Sequence, residues 1–196
     1  MKTTLIIHPQ DDSTTFLCGI YASLSDKTVI TGGMTRAEVQ KQIRCHDRVM
    51  MLGHGSQLGL FSVGRFPDAY PYIIDRAIVR SLGRKAGNVY IWCNADCFVR
   101  DHGLTGFFSG MFCSEVSECQ YFGVGSTQDL VDESNYGFSE IVAKHLDEPP
   151  VVFYKNVLHE YGRLAKRNPV AEYNHSRLYL NLLEPNMFHN NVRKTA

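Results

Sequence analysis

Short apolar runs alternate along this chain with segments in which apolar residues recur every three or four positions; the first pattern predicts buried strands, the second amphipathic helices. Leu5, Ile6 and Ile7 form the first run, which breaks at His8-Pro9-Gln10-Asp11-Asp12-Ser13, a cluster rich in turn and helix-capping residues. Phe16, Leu17, Ile20 and Tyr21 then fall at helical spacing, and the β-branched stretch 28–31 predicts a second strand before Gly32-Gly33. Thr35 with Glu38 three residues later makes a capping box, so a helix is expected through Val39 and Ile43. The apolar run 49–52 follows and stops at Gly53-His54-Gly55-Ser56.

Residues 58–63 predict a short strand or hairpin, and Ile73, Ile74, Ala77, Ile78 and Leu82 predict a helix closed by Gly83 or Gly87. The run 89–92 predicts a strand that delivers Cys93 at its end. Leu104, Phe107, Phe108, Met111, Phe112 and Val116 recur at three- and four-residue steps, which predicts a helix, with residues 121–124 as its partner strand. Phe138, Ile141, Val142, His145 and Leu146 predict another helix, ended by Pro149-Pro150. Val157, Leu158, Tyr161 and Leu164 mark the last, before a polar tail rich in asparagine from Asn186 to Asn191.

Alternating elements of this kind imply a largely parallel sheet covered by helices on both faces, because parallel neighbours need crossover connections. The expected class is α/β, a three-layer sandwich forming one domain over residues 1–196, with a core at about 1–147 and a helical appendage at about 151–196. Such sheets hold ligands beyond the carboxyl ends of their strands.

Composition narrows the partners. Lysine plus arginine total 20 and aspartate plus glutamate total 20, so no net field draws the chain to nucleic acid or to an anionic membrane. The first strand begins almost at Met1 without a cleavable signal pattern, and no apolar run could span a bilayer, so a cytoplasmic setting is expected. The six cysteines, Cys18, Cys45, Cys93, Cys97, Cys113 and Cys119, are scattered through the elements, unlike a disulfide framework, and are expected to be free thiols. Cys93 and Cys97 could offer two zinc ligands, but no second close Cys/His pair completes a tetrahedral set; neither metal nor cofactor is expected.

Two strand ends carry chemistry. His54 leaves a buried run between two glycines, which let backbone amides approach a ligand, and Cys93 leaves the next clear strand in the same way. Taken singly, most free cysteines are small buried hydrophobes, and most such histidines are structural or lie at the surface. As neighbours they would make a nucleophile and its base. The segments Leu52-Gly53-His54-Gly55-Ser56 and Ile91-Trp92-Cys93-Asn94 resemble the histidine and cysteine motifs of the caspase-like (clan CD) cysteine peptidases, in particular their CHAT branch. The resemblance covers about residues 1–147, and takes Gly103 to Cys119 and residues 121–124 as the helix and strand after the nucleophile.

That resemblance implies a cysteine endopeptidase acting on peptide or protein substrates. Cys93 is the nucleophile, His54 protonates the leaving amine, and the backbone amides of Gly55 and Cys93 form the oxyanion hole. Cys97 is the alternative thiol if the strand runs further. In the caspase-like fold the loop after the first strand borders the substrate groove, so Asp11 or Asp12 is a candidate contact for a basic P1 side chain; helix capping explains the same residues without function. Two other readings stand beside this one. One is a non-catalytic interaction domain of the same fold, in which Trp92 crowds the thiol. The other is a zinc-dependent deacetylase, since His8-Pro9-Gln10-Asp11-Asp12 partly resembles that family's His-Pro-Asp-Asp motif, although the later His-x-x-His is missing.

Overall fold

The computed structural model describes residues 3–83, 85 and 87–182. In chain order, β1 (Thr4–Ile7) leads through a 3-10 helix (Asp12–Leu17) and α1 (Cys18–Tyr21) to β2 (Lys27–Ile30), and α2 (Arg36–Cys45) leads to β3 (Arg48–Leu52). The short strands β4 (Gly55–Ser56), β5 (Gly59–Phe61) and β6 (Tyr72–Ile74) follow, then α3 (Val79–Leu82), β7 (Val89–Ile91), α4 (Ala95–Asp101) and β8 (Gly106–Ser109). The chain continues through α5 (Val116–Tyr121), α6 (Gln128–His145), α7 (Pro150–Ala165) and α8 (Pro169–His175) to β9 (Leu178–Asn181).

Six strands form the main sheet in the order β2-β1-β3-β7-β8-β9, all parallel except β9, which runs antiparallel to β8. Strand side chains alternate between faces, and the core divides accordingly. Leu5, Ile7, Val49, Met51, Tyr90, Trp92 and Phe108 pack with Val39 and Ile43 of α2 and Phe98 and Val99 of α4. Ile6, Met50, Leu52, Val89, Ile91 and Phe107 pack with Ile20 of α1, Phe138 and Val142 of α6 and Val157 and Tyr161 of α7. Helices therefore cover both faces, the α/β sandwich that the alternation implies. The strands β4, β5 and β6 make a separate antiparallel sheet immediately after β3.

Chain order reverses about β1: β2 lies on one side of it, and β3, β7 and β8 follow on the other. The crevice at such a switch point is where an open parallel sheet admits a ligand.

Several elements depart from the sequence pattern. The helix expected across 104–116 is instead β8 followed by α5, and the segment expected as a strand at 121–124 closes that helix at the surface, with Tyr121 84% exposed. Residues 104–110 are buried without a break, so their apolar positions satisfy helical spacing and strand burial alike, and periodicity cannot separate the two. A close approach decides for the strand: Gly106 has φ 133°, and a Cβ there would lie 2.2 Å from the Asn88 carbonyl oxygen. The helix expected across 73–82 divides into β6 and the short α3. The region after residue 150 supplies α7 and α8 but ends in β9, which completes the sheet edge beside β8. The tail from Asn186 to Asn191 lies outside the described residues.

Candidate active site

Four neighbouring strands, β1, β3, β7 and β8, point the same way, and the loops after them carry Asp11, His54, Cys93 and Ser114. The loop after β1 is ordered by its own capping chemistry. Asp11 is the N-cap of the 3-10 helix: its Oδ1 accepts from the Thr14 amide at 3.1 Å and from the Ser13 hydroxyl at 2.9 Å, while the Thr14 hydroxyl accepts from the Asp11 amide. Its other oxygen, Oδ2, lies 3.0 Å from Nε2 of His54, and the Ser13 Oγ lies 2.8 Å from the same nitrogen.

These contacts assign the imidazole tautomer. The single Ser13 proton goes to Asp11, so Nε2 must carry the hydrogen that both oxygens share, and Nδ1 is left with the lone pair. Burial acts to raise the Asp11 pKa, but hydrogen bonds from Ser13 and Thr14 and the nearby His54 ring outweigh it and hold the carboxyl below its ordinary range. Asp11 is thus an anion positioned on His54, and its carboxylate is occupied there and in its own turn.

Cys93 sits at the step from β7 into α4, where Asn94 adopts left-handed backbone at φ 64°, a conformation that asparagine tolerates better than most residues. The thiol is half-buried and donates to the Phe112 carbonyl at 3.6 Å. Burial, with a smaller contribution from the Glu118 charge, pushes its pKa up to about 11. No direct hydrogen bond joins the thiol to the imidazole among the described residues. The two side chains nevertheless share walls: both line an open apolar cleft of about 640 Å3 with Phe61, Val63, Tyr70 and Met111, and both line a small pocket beneath it with Thr14, Phe16 and Ser114.

Trp92 borders the small pocket but does not line the open cleft. Its indole turns to the opposite face of the sheet from Ile91, is 1% exposed, and donates from Nε1 to the Ser56 carbonyl at 3.0 Å. Gly55 lies against that ring, where a Cβ would come 2.2 Å from the indole. Gly55 also lines the cleft, so its backbone borders the space beside Cys93. Cys97, the alternative thiol, lies one turn into α4 and lines neither the cleft nor the pocket beneath it.

The two aspartates part company. Asp11 faces His54, whereas Asp12 is exposed and borders a separate pocket next to Ser13. His8 is wholly buried with Nδ1 3.0 Å from the Tyr21 hydroxyl, and among the described residues no group of three or more His, Cys, Asp or Glu side chains could hold a metal ion. All six cysteines are free. No helix of the described residues is long and apolar enough to cross a membrane.

Sequence reasoning missed the roles of Ser13 and Asp11 as the partners of His54, and of Glu118 as a charge acting on the thiol. The capping pattern was the available signal for the first pair, but it reports only local bonds. In comparisons with known proteins, no family model, no curated protein and no solved structure matches the chain.

Proposed function

We propose that this chain is a caspase-like cysteine endopeptidase of the cytoplasm that cleaves peptide or protein substrates through Cys93 and His54. The observation that carries this reading is a thiol and an imidazole on the carboxyl ends of adjacent parallel strands, lining one cleft, with the imidazole held by a carboxylate in the tautomer that frees a lone pair. In the reaction, the Cys93 proton passes to His54 Nδ1 as the sulfur attacks the scissile carbonyl carbon. The backbone amides of Gly55 and Cys93 stabilise the oxyanion, the C–N bond breaks, and the imidazolium returns the proton to the leaving amine. Water then hydrolyses the thioester with His54 as base. The six free thiols suit a reducing compartment.

The raised thiol pKa bears on the mechanism. At neutral pH a thiol with a pKa of about 11 is almost wholly protonated, so the resting site holds no thiolate–imidazolium pair. Proton transfer has to accompany attack, once substrate displaces the thiol from the Phe112 carbonyl. The same observation favours a second reading, a non-catalytic interaction domain that keeps the fold and holds its cysteine inert.

Labelling by an electrophilic peptide separates the two. Cys93→Ala is expected to abolish it, Cys97→Ala to leave it nearly intact, and His54→Ala to slow both labelling and turnover, with a melting curve for each variant to exclude unfolding. Labelling that survives Cys93→Ala but is lost in Cys97→Ala would move the nucleophile into α4. Folded protein that no such peptide labels would leave the interaction domain as the better account.

A further inference from the structure

Cys93 and His54 border two spaces in common. The pocket beneath them, about 20 Å3, has room for roughly one water molecule. The open cleft, about 640 Å3, has the size of an ordinary ligand site. A substrate that meets both reactive groups therefore has to enter through the cleft, and the chemistry of its walls decides which side chain it brings there.

Those walls are apolar. Phe61, Val63, Tyr70, Pro71 and Met111 supply them, and the Phe61 ring is fixed by stacking on Tyr72 with centroids 5.1 Å apart. Among the described residues no lysine or arginine borders the cleft, and its one carboxylate is Glu118. Oε2 of Glu118 is already engaged: it accepts from the Ser114 amide at 2.8 Å and from the Ser114 hydroxyl at 3.2 Å. An acidic substrate side chain would meet that carboxylate with no cation to offset the repulsion.

Two observations at the rim are independent of this lining. Tyr70 is 89% exposed, the highest value for a large apolar side chain among the described residues, and with its neighbours it leaves a contiguous apolar surface open beside the reactive pair. Such surfaces mark places where an apolar group docks. Val63, 39% exposed, follows β5 with φ 50°, left-handed backbone in which a β-branched residue is strained. Glycine suits that conformation, and the next residue, Gly64 at φ 68°, is one. A valine held there brings its methyl groups to the cleft at a cost in strain, and strain of this kind gathers at ligand sites.

We propose that the cleft takes a large apolar side chain, aliphatic or aromatic, from a substrate residue flanking the bond that Cys93 attacks, an assignment that deepens the peptidase reading and rests on it.

Two measurements on the full chain keep the cleft and the chemistry apart. The first titrates the Cys93→Ala protein, followed by nuclear magnetic resonance, with capped pentapeptides of alanine whose central residue is replaced by leucine, phenylalanine, lysine or glutamate. The leucine and phenylalanine peptides are expected to bind roughly tenfold more tightly than the all-alanine peptide, the gain from burying part of such a side chain, and the glutamate peptide no better than alanine. Val63→Gly, which suits the backbone there, and Tyr70→Ser, which alters an exposed ring, are each expected to leave the melting curve nearly unchanged and together to remove most of that preference. The second measurement incubates protein having Cys93 intact with the same peptides and reads the products by mass spectrometry, where cleavage is expected beside leucine or phenylalanine. Equal binding of all the peptides, tightest binding of the lysine or glutamate peptide, or a preference that survives in the folded double variant overturns the cleft assignment, whether or not any peptide is cleaved. Apolar binding with neither cleavage nor labelling of Cys93 by an electrophilic peptide overturns the peptidase reading, and with it the placement beside a scissile bond. Cleavage away from leucine or phenylalanine overturns that placement while the peptidase reading stands.

Discussion

A neutral imidazole has one nitrogen that donates and one that accepts, so the partners of the first decide what the second can do. At His54 those partners are Asp11 and Ser13, both on Nε2. Asp11→Asn removes the anion but keeps a good N-cap, so the fold is expected to hold while the amide can supply a donor to Nε2 and turn the ring to the unproductive tautomer. If the chain is the peptidase proposed above, then by analogy with the loss of the orienting aspartate in serine proteases kcat should fall by about two to four orders of magnitude with little change in KM or melting temperature. A lost melting temperature with unchanged kcat per folded molecule would reduce Asp11 to a cap. Cys93 supplies a second prediction. Its thiol pKa is raised to about 11, chiefly by burial, so reaction with a small alkylating reagent that makes no use of His54 should climb steadily with pH beyond 9, the ordinary thiol value. A thiol already fully reactive at pH 7 in the free protein would contradict the burial that raises its pKa.

At the scale of elements, the fit of Gly55 against Trp92 links the two motifs that define the site. The loop after β3 passes directly over the indole at the end of β7, and a methyl group at position 55 would overlap both that ring and, at 2.6 Å, the Gly59 carbonyl. Gly55→Ala is therefore expected to destabilise the protein by about 1–3 kcal/mol, the usual effect of overpacking, in a denaturant titration. Trp92→Phe should relieve part of that loss when combined with it, whereas purely additive effects would mean that the two do not meet. Elements specified by local chemistry are also the ones legible in the sequence. The Thr35–Glu38 capping box forms as expected and starts α2, and the apolar runs before His54 and Cys93 are β3 and β7. Where burial is continuous, as around Phe107 and Phe108, the spacing of apolar residues says nothing about period, and β8 is lost to a helical reading. The His54 and Cys93 ends are legible because each interrupts an apolar run. The Ser13–His54 contact spans 41 residues and follows only from β1 and β3 being neighbours in the sheet, which no local pattern records.

For the molecule as a whole, β1 is the strand about which chain order reverses, and the residue that follows it, His8, is a buried titratable group. His8 continues the ladder to β2 through its amide, which donates to the Ile30 carbonyl at 2.9 Å, and its side chain is wholly enclosed between that ladder and Tyr21. Burial lowers its pKa to about 4 from the ordinary 6.5, against the smaller opposing pull of Asp11. The folded protein thus holds this ring neutral where the unfolded chain would protonate it. Stability from His8 is complete above about pH 6.5, falls as the pH drops from there toward 4, and is constant below that. The span of the shift corresponds to at most about 3 kcal/mol. His145 works in the opposite sense: despite its burial, hydrogen bonds to Glu148 and Glu160 raise its pKa, so its contribution is present on the acid side and is lost as pH rises. A single stability profile would mix the two, whereas a comparison of His8→Gln with the parent protein isolates the first. Glutamine can still bond the Tyr21 hydroxyl but takes up no proton, so urea unfolding at pH 7.5 and pH 4.5 should show the parent losing about 2–3 kcal/mol more than the variant between the two conditions. Equal losses would mean that His8 is protonated in the folded protein, and that the buried end of β1 beneath the Asp11 loop is open to water.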